Sequence, residues 1–540
     1  MNRRAFMKWV TGATLAAGCE RLPLTPAIHT RRKSLVAPGN AWGTPWPAQL
    51  AGMMPAAAVP QGMLEIFLLG GLSPWETFYT VPELCRPDSG GPYAGQQWWT
   101  FQDTSALESP ALSVPTWFGA CGDGRPLYQP FATDSAGRSV NLGPFILALR
   151  DRPDMLARMR VWVLGHEIEP HEAAIPQAIC GHRLSNPRLA SLGTHLQRFY
   201  GERRPLGRTA PYSYAIAMSA LKVTQNNATA ATAIGSHPAT ARPLAIQLGA
   251  QSRLARQLPR GSTEGYRSEL DAYVAHHIQR LQGSMGTGDF LGALRAPGVS
   301  DFSFARSAIA NHDVLTELLT AERLAVDPVL ACVSDPFGTA PGDEFADEVK
   351  TGLELASTLL TDPANAARYV QFLDSGLYTD PAGQGYDTHG VHVEQMAPNV
   401  MHLARRLTEI VNEPGEKDPS KLDLDRHFIL LNTEFGRSPF AEVTPRNPGG
   451  AGTNHWPWGY VVIGFGGFVD EDRSGVIGAI DASSVAVDGL SPAEHRAAML
   501  LAMGAWPFTP ESFAVGDIRN VTSELDAAVW LKERVLGYST

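Results

Sequence analysis

Short apolar runs that each stop at a glycine, a histidine or a carboxylate constrain this chain more than any other feature. Met63-Leu-Glu-Ile-Phe-Leu-Leu69 closes on Gly70-Gly71, and Val161-Trp-Val-Leu164 closes on Gly165-His166. Tyr369-Val-Gln-Phe-Leu373 leads into a loop that reaches Asp387, and His427-Phe-Ile-Leu-Leu-Asn432 stops just before Glu434. Gly459-Tyr-Val-Val-Ile463 closes on Gly464-Phe-Gly-Gly467, and Tyr214–Met218 and Leu244–Leu248 are weaker members of the set. Runs this short and apolar predict strands buried on both faces. Helical patterns fall between them: one over Phe145 to Met159, one starting near Glu172, and a strong one after Asp387. The last has Met396, Val400, Leu403, Leu407 and Ile410 on one face and Arg405 and Arg406 on the other. Strands alternating with helices predict an α/β fold with a mainly parallel central sheet sandwiched by helices. In such sheets, sites gather beyond the C-terminal ends of the strands.

The 540 residues, 44% apolar and 18% charged, suffice for one large domain with ample core. The reading places a single α/β domain over 61–540, with a mostly helical insertion at about 250–365 around Leu315, Leu318, Leu319 and Leu324. Residues 20–60, rich in Pro and Ala without a sustained period, read as an arm or linker. No internal repeat and no internal membrane span is evident.

Residues 1–19 read as an export signal. Asn2-Arg3-Arg4-Ala5-Phe6-Met7-Lys8 has the twin-arginine pattern, and the apolar run from Trp9 to Ala17 that follows is too short to span a membrane. That route carries folded proteins, often with a cofactor in place, to the periplasm or cell envelope. Ala16-Ala17-Gly18-Cys19 resembles a lipobox with its leucine, Leu15, one place early. The chain is then either cleaved and soluble or tethered to a membrane through a lipid on Cys19. Without residues 1–19, 41 basic residues face 54 acids, a net charge of −13. This balance argues against a nucleic-acid partner, and Arg31-Arg32-Lys33 is too isolated to reverse it. Cys85, Cys121, Cys180 and Cys332 form no Cys-x-x-Cys pair, which leaves one or two disulfides or buried thiols.

The chemistry-bearing residues crowd into a few loops. Asp387-Thr-His389-Gly-Val-His392 puts a carboxylate and two imidazoles in six residues, a donor set suited to a divalent metal. Glu434 and Arg437 follow an apolar run, as ligand and anion clamp or as a plain ion pair, and His455 sits in a Gly/Asn/Trp loop. Ser73 and Glu76 lie just past the first glycine turn. Without a Gly-x-Ser-x-Gly elbow, Ser73 is a weak candidate nucleophile and a better helix cap. His166 and His171, with Glu167, Glu169 and Glu172, form a second acidic–histidine loop, but not the His-Glu-x-x-His of a zincin. His276-His277 reads as a solvated helix face.

Taken together, Phe67-Leu-Leu-Gly-Gly-Leu-Ser-Pro-Trp-Glu-Thr-Phe78, Gly385-Tyr-Asp-Thr-His-Gly-Val-His392, Thr433-Glu-Phe-Gly-Arg-Ser-Pro439 and Gly452-Thr-Asn-His-Trp456 resemble the DUF1501 family of exported bacterial proteins over nearly all of 60–510. That family is similar to the alkaline phosphatase and sulfatase superfamily, which implies a metal site at the C-terminal strand ends. The resemblance implies Asp387, His389 or His392, Glu434 and His455 as metal-site positions, with Glu76 in place of the usual first-strand Asp. It departs where Gly70-Gly71 ends the first strand, where Glu434-Phe435 replaces an Asp-His pair, and where Asn454 precedes His455. Cys85-Arg-Pro87 has the wrong order for a formylglycine sulfatase motif. The expected function is an exported hydrolase using Zn, Mn, Mg or Ca on a small-molecule or polymer phosphate or sulfate ester. The alternative is a non-catalytic envelope protein of the same fold that binds a co-exported protein or a polymer.

Overall fold

The computed structural model describes residues 53–85, 129–186, 189–202, 213–218, 243–248, 347–363, 366–376, 385–390, 392–440, 442–444, 447–508 and 512–539, with a few helical positions between 269 and 280. The twin-arginine stretch, the lipobox-like segment, most of the Pro/Ala-rich arm and nearly all of the expected helical insertion lie outside these residues, as do Cys121 and Cys332. Every described residue belongs to the unit Ala48–Thr540.

Eight strands make the central sheet: β1 (Gly62–Leu68), β2 (Met159–Leu164), β3 (Ser213–Ala217), β4 (Leu244–Gln247), β5 (Tyr369–Asp374), β6 (His427–Thr433), β7 (Tyr460–Gly466) and β8 (Gly475–Ile477). Their order across the sheet is β8-β2-β7-β6-β1-β5-β3-β4. Every pairing is parallel except the two made by β7, which runs against both β2 and β6. All residues of β1, β2, β5, β6 and β7 are buried, as expected of strands covered on both faces.

Alternation along β1 shows the two layers. Leu64, Ile66 and Leu68 join a core with α3 (Glu348–Thr361) and α4 (His392–Glu409). Phe67 and Leu69 turn to the other face and pack on α1 (His171–Cys180), through Ile175, Ala178 and Ile179. Helices α2 (Leu192–Glu202) and α5 (Pro492–Ala502) complete that layer. Helix α1 stops at Gly181, whose φ of 78° suits the left-handed C-terminal turn. Helix α5 starts in a capping box of Ser491 and Glu494.

Register places the loops that matter. Leu68 lies opposite both Asp374 and Thr433, so β5, β1 and β6 end level and their following loops sit side by side. Because β7 is reversed, its first residue, Tyr460, lies opposite Leu164 at the end of β2. The chain entering β7 therefore meets the chain leaving β2.

Two helical expectations are corrected. Residues 145–159 do not form one helix: they break into a turn at Pro144–Ile146 and short helices Leu147–Arg150 and Pro153–Ala157. Pro153 lacks the N–H a continuing helix needs and restricts Arg152 before it. Arg406 is not on a solvated face with Arg405; it is buried and bonds Asp347 Oδ2 at 3.0 Å through Nε. Cys180 carries a buried thiol, not a disulfide, and burial pushes its pKa up to about 12. His276 and His277 are exposed. No described helix is long and apolar enough to cross a membrane.

Candidate metal centre

Asp387 is the hub of the cluster at the level strand ends. Its Oδ1 accepts from Arg437 Nη1 at 2.7 Å, and lies 3.1 Å from His389 Nε2 and 3.3 Å from His455 Nε2. Its Oδ2 lies 3.2 Å from His171 Nε2. Three histidines thus converge on one carboxylate from three loops: after β2, after β5 and before β7.

The histidines are oriented from behind. His171 Nδ1 donates to Glu434 Oε1 at 2.8 Å, and the same oxygen accepts from Gly70 N at 2.8 Å. His389 Nδ1 donates to Glu442 Oε2, also at 2.8 Å. With Nδ1 committed, each ring turns the lone pair of Nε2 toward the common point. A carboxylate backing one ring nitrogen while the other faces inward is the usual arrangement around metal-bound histidine.

The inner edges carry the decisive feature. His171 Nε2 is buried and faces Asp387 Oδ2 at 3.2 Å, a contact that needs a proton or another cation on that nitrogen. His389 Nε2 faces His455 Nε2 at 2.9 Å. Electron-rich atoms this close need a cation between them, either a proton or a metal. Ligands around a tetrahedral ion with bonds of about 2.0–2.1 Å lie roughly 3.3 Å apart, and the separations here run from 2.9 Å up to 3.3 Å. Histidine and carboxylate donors without thiolate suit Zn or Mn better than Mg or Ca, which prefer oxygen. His171, Asp387 and His455 have ligand atoms within 4.8 Å of one another, and His389 abuts two of the three.

Proton affinities follow the same geometry. Burial opposes a charged His171, but Asp387 and Glu434 outweigh it and raise its pKa to about 9. Burial likewise opposes charge on Asp387, yet His171, His389, His455 and Arg437 hold it well below the usual carboxylate range. Burial lowers His455, assisted by Arg437 and His171. His389 is raised, Asp387 and Glu442 overcoming its burial.

The neighbours fix the cluster in place. Phe435 stacks on His455 with centroids 4.4 Å apart and lies 4.9 Å from the His171 ring. His166 Nδ1 accepts from Ile168 N at 3.1 Å, so Nε2 carries the proton it donates to Glu434 O at 2.7 Å. Burial lowers its pKa and keeps this ring neutral.

Several residues predicted from sequence occupy other roles. Arg437 is fully buried and donates to Gly70 O, Asp387 and both oxygens of Thr453, so it serves the protein and not an incoming anion. Ser73 is fully buried, away from any solvent-borne substrate. Glu76 and His392 do not join the cluster. They face each other in the core, Oε1 to Nε2, at 3.3 Å. Glu434 backs His171 with Oε1 instead of facing the inner edge. Gly70 has no room for a side chain: its φ is 118°, and a Cβ on it would stand 2.2 Å from Asp387 N.

His171 is the participant that sequence reasoning did not select. Its signal was its place in the acidic–histidine loop after a predicted strand, which lacks the His-Glu-x-x-His spacing of a zincin. No protein-family profile, curated protein or solved structure matches the chain.

Proposed function

We propose that this protein is an exported metal-dependent hydrolase of the alkaline phosphatase and sulfatase type, acting on a phosphate or sulfate ester through one ion. His171, Asp387 and His455 hold the ion, with His389 beside them. The single observation that carries the reading is the pair of carboxylate-backed histidines whose inner nitrogens lie 3.1 and 3.2 Å from the Asp387 carboxylate. When bound, the ion supplies Lewis acidity for attack on the ester. The chain's own residues hold their lone pairs ready: Glu434 and Glu442 fix the imidazole tautomers, Arg437 orients Asp387, and Phe435 holds the ring planes.

A second reading, a metal-containing envelope protein that binds a partner or polymer without turnover, is favoured by one observation. Arg437 is committed to the protein and Ser73 is buried, so neither anion clamp nor nucleophile is on offer from those residues. The test is metal content by mass spectrometry, together with a screen of phosphate and sulfate esters. The hydrolase predicts about one equivalent of Zn or Mn, and an ester rate that falls with the metal in His455→Ala. Metal without turnover on any ester supports the binding protein. Protein that stays metal-free after incubation with Zn and Mn sinks both.

A further inference from the structure

Resting on the metal-centre reading, we propose that Glu76 and His392 are positioning residues that lock the two ligand-bearing loops together. A chain of buried polar groups connects them to the centre. Arg437 Nε donates to Thr453 Oγ1 at 3.0 Å; Thr453 Oγ1 lies 2.9 Å from Thr388 Oγ1; Thr388 Oγ1 lies 2.7 Å from His392 Nδ1; His392 Nε2 faces Glu76 Oε1. All five residues are at most 2% exposed.

Both ends of this chain have fixed polarity. A guanidinium can only donate and a carboxylate can only accept, so the hydrogen bonds run one way. Thr453 donates to Thr388, Thr388 donates to His392 Nδ1, and His392 donates from Nε2 to Glu76. Thr453 Oγ1 also lies 3.3 Å from His392 Nδ1, so both hydroxyls turn toward the ring nitrogen whose lone pair Glu76 fixes through the imidazole tautomer.

The two threonines are where a lock is needed. Thr388 lies between the ligand Asp387 and the neighbouring His389, and Thr453 is two residues before the ligand His455. Their backbones are also joined, Thr453 N donating to Thr388 O at 2.9 Å. Arg437, at the near end, bonds Asp387 directly. Meanwhile Glu76 Oε2 is buried without a hydrogen bond. Burial of a carboxylate costs stability that an apolar residue would spare. What Glu76 contributes is direction.

The test uses whole metal-stripped protein titrated with Co(II), read by its visible absorption and by chelator competition. Glu76→Gln can donate to His392 Nε2 as well as accept from it, so the imidazole tautomer is no longer fixed and Nδ1 can donate back toward Thr388 and Thr453. This variant and Thr453→Val are expected to weaken Co(II) binding at least about tenfold and to change the absorption bands, while Thr453→Ser restores both. Wild-type affinity and bands in Glu76→Gln and Thr453→Val overturn the positioning role and leave the metal centre standing. If Glu76→Gln does not fold, the Thr453→Val and Thr453→Ser pair decides: equal losses in both overturn the proposal. If wild-type protein binds no Co(II), the metal centre itself fails and this inference with it.

Discussion

Two clusters in this protein place a carboxylate among basic groups, and they are built to opposite ends. In the middle of the sheet, Glu65 accepts from Arg496 Nη1 at 2.9 Å and from Nη2, from Tyr369 Oη at 2.6 Å and from Asn432 Nδ2 at 2.9 Å. Arg496 Nε donates to Ala178 O at 2.6 Å. Every bond runs from donor to acceptor, and both Glu65 oxygens are satisfied. At the strand ends, Asp387 faces three imidazoles, and the inner nitrogens of His389 and His455 lie 2.9 Å apart. In the first cluster each donor has its acceptor; in the second, ring nitrogens from three loops face one carboxylate and one another, an arrangement that holds together only around a shared proton or metal ion. Charge and burial alone would not have separated the two.

The largest effect should come from breaking the closed cluster. Arg496→Leu leaves Glu65 buried without its counter-ion and should destabilise the fold by about 3–5 kcal/mol, while Glu65→Leu with Arg496→Leu should recover much of that loss. Chemical denaturation measures both, and metal stoichiometry should stay at the wild-type value. A parallel loss of metal would break the separation drawn above.

The open cluster should respond to pH instead. Its folded environment raises His171 to about 9 from an ordinary ~6.5. In metal-free protein this contribution, on the order of 3 kcal/mol, is fully present below about pH 6.5 and is lost as pH rises through about 9. Asp387, held low, works in the other direction: its contribution is present above about pH 4 and lost as pH falls further. Melting curves of stripped protein from pH 6 to 10 should fall with pH, and His171→Gln should flatten them. Metal-loaded protein should not show that fall, because the ion takes the proton's place. A stripped protein with a flat profile would mean that His171 is not held by the two carboxylates.

The smallest effect tests the helix that carries Arg496. Ser491→Ala removes the capping box of α5 and should cost about 1 kcal/mol without altering the pH profile. A change in that profile would show the two clusters to be coupled.

The α/β architecture was legible because β1, β2, β5, β6 and β7 are apolar runs with turn residues at their ends. Asp387, His389, Glu434 and His455 were legible because imidazoles and carboxylates in glycine-rich loops have few ordinary uses. What they do to one another was not. Glu434 faces a histidine because β1 and β6 end level, and His171 reaches Asp387 because β7 is inserted between β2 and β6. Strand order is a long-range property that local periodicity does not carry. The breakdown of the expected helix at 145–159 was visible in Pro153, whose effect outweighed the apolar pattern around it. Glu65, one acid within an apolar strand, marked the structural cluster, but its partner Arg496 lies 431 residues away.

The reversed strand β7 also acts as a gauge. It is the hydrogen-bonded link between β2, which delivers His171, and β6, which delivers Glu434, and its own entry delivers His455. A slip of one residue along either pairing would displace the loops by about 3.3 Å and turn every β7 side chain to the opposite face. That displacement is as large as the spacing between two ligands of one ion. The tolerance of the centre is therefore written in the core, where Val461, Val462 and Ile463 can occupy their places in only one register.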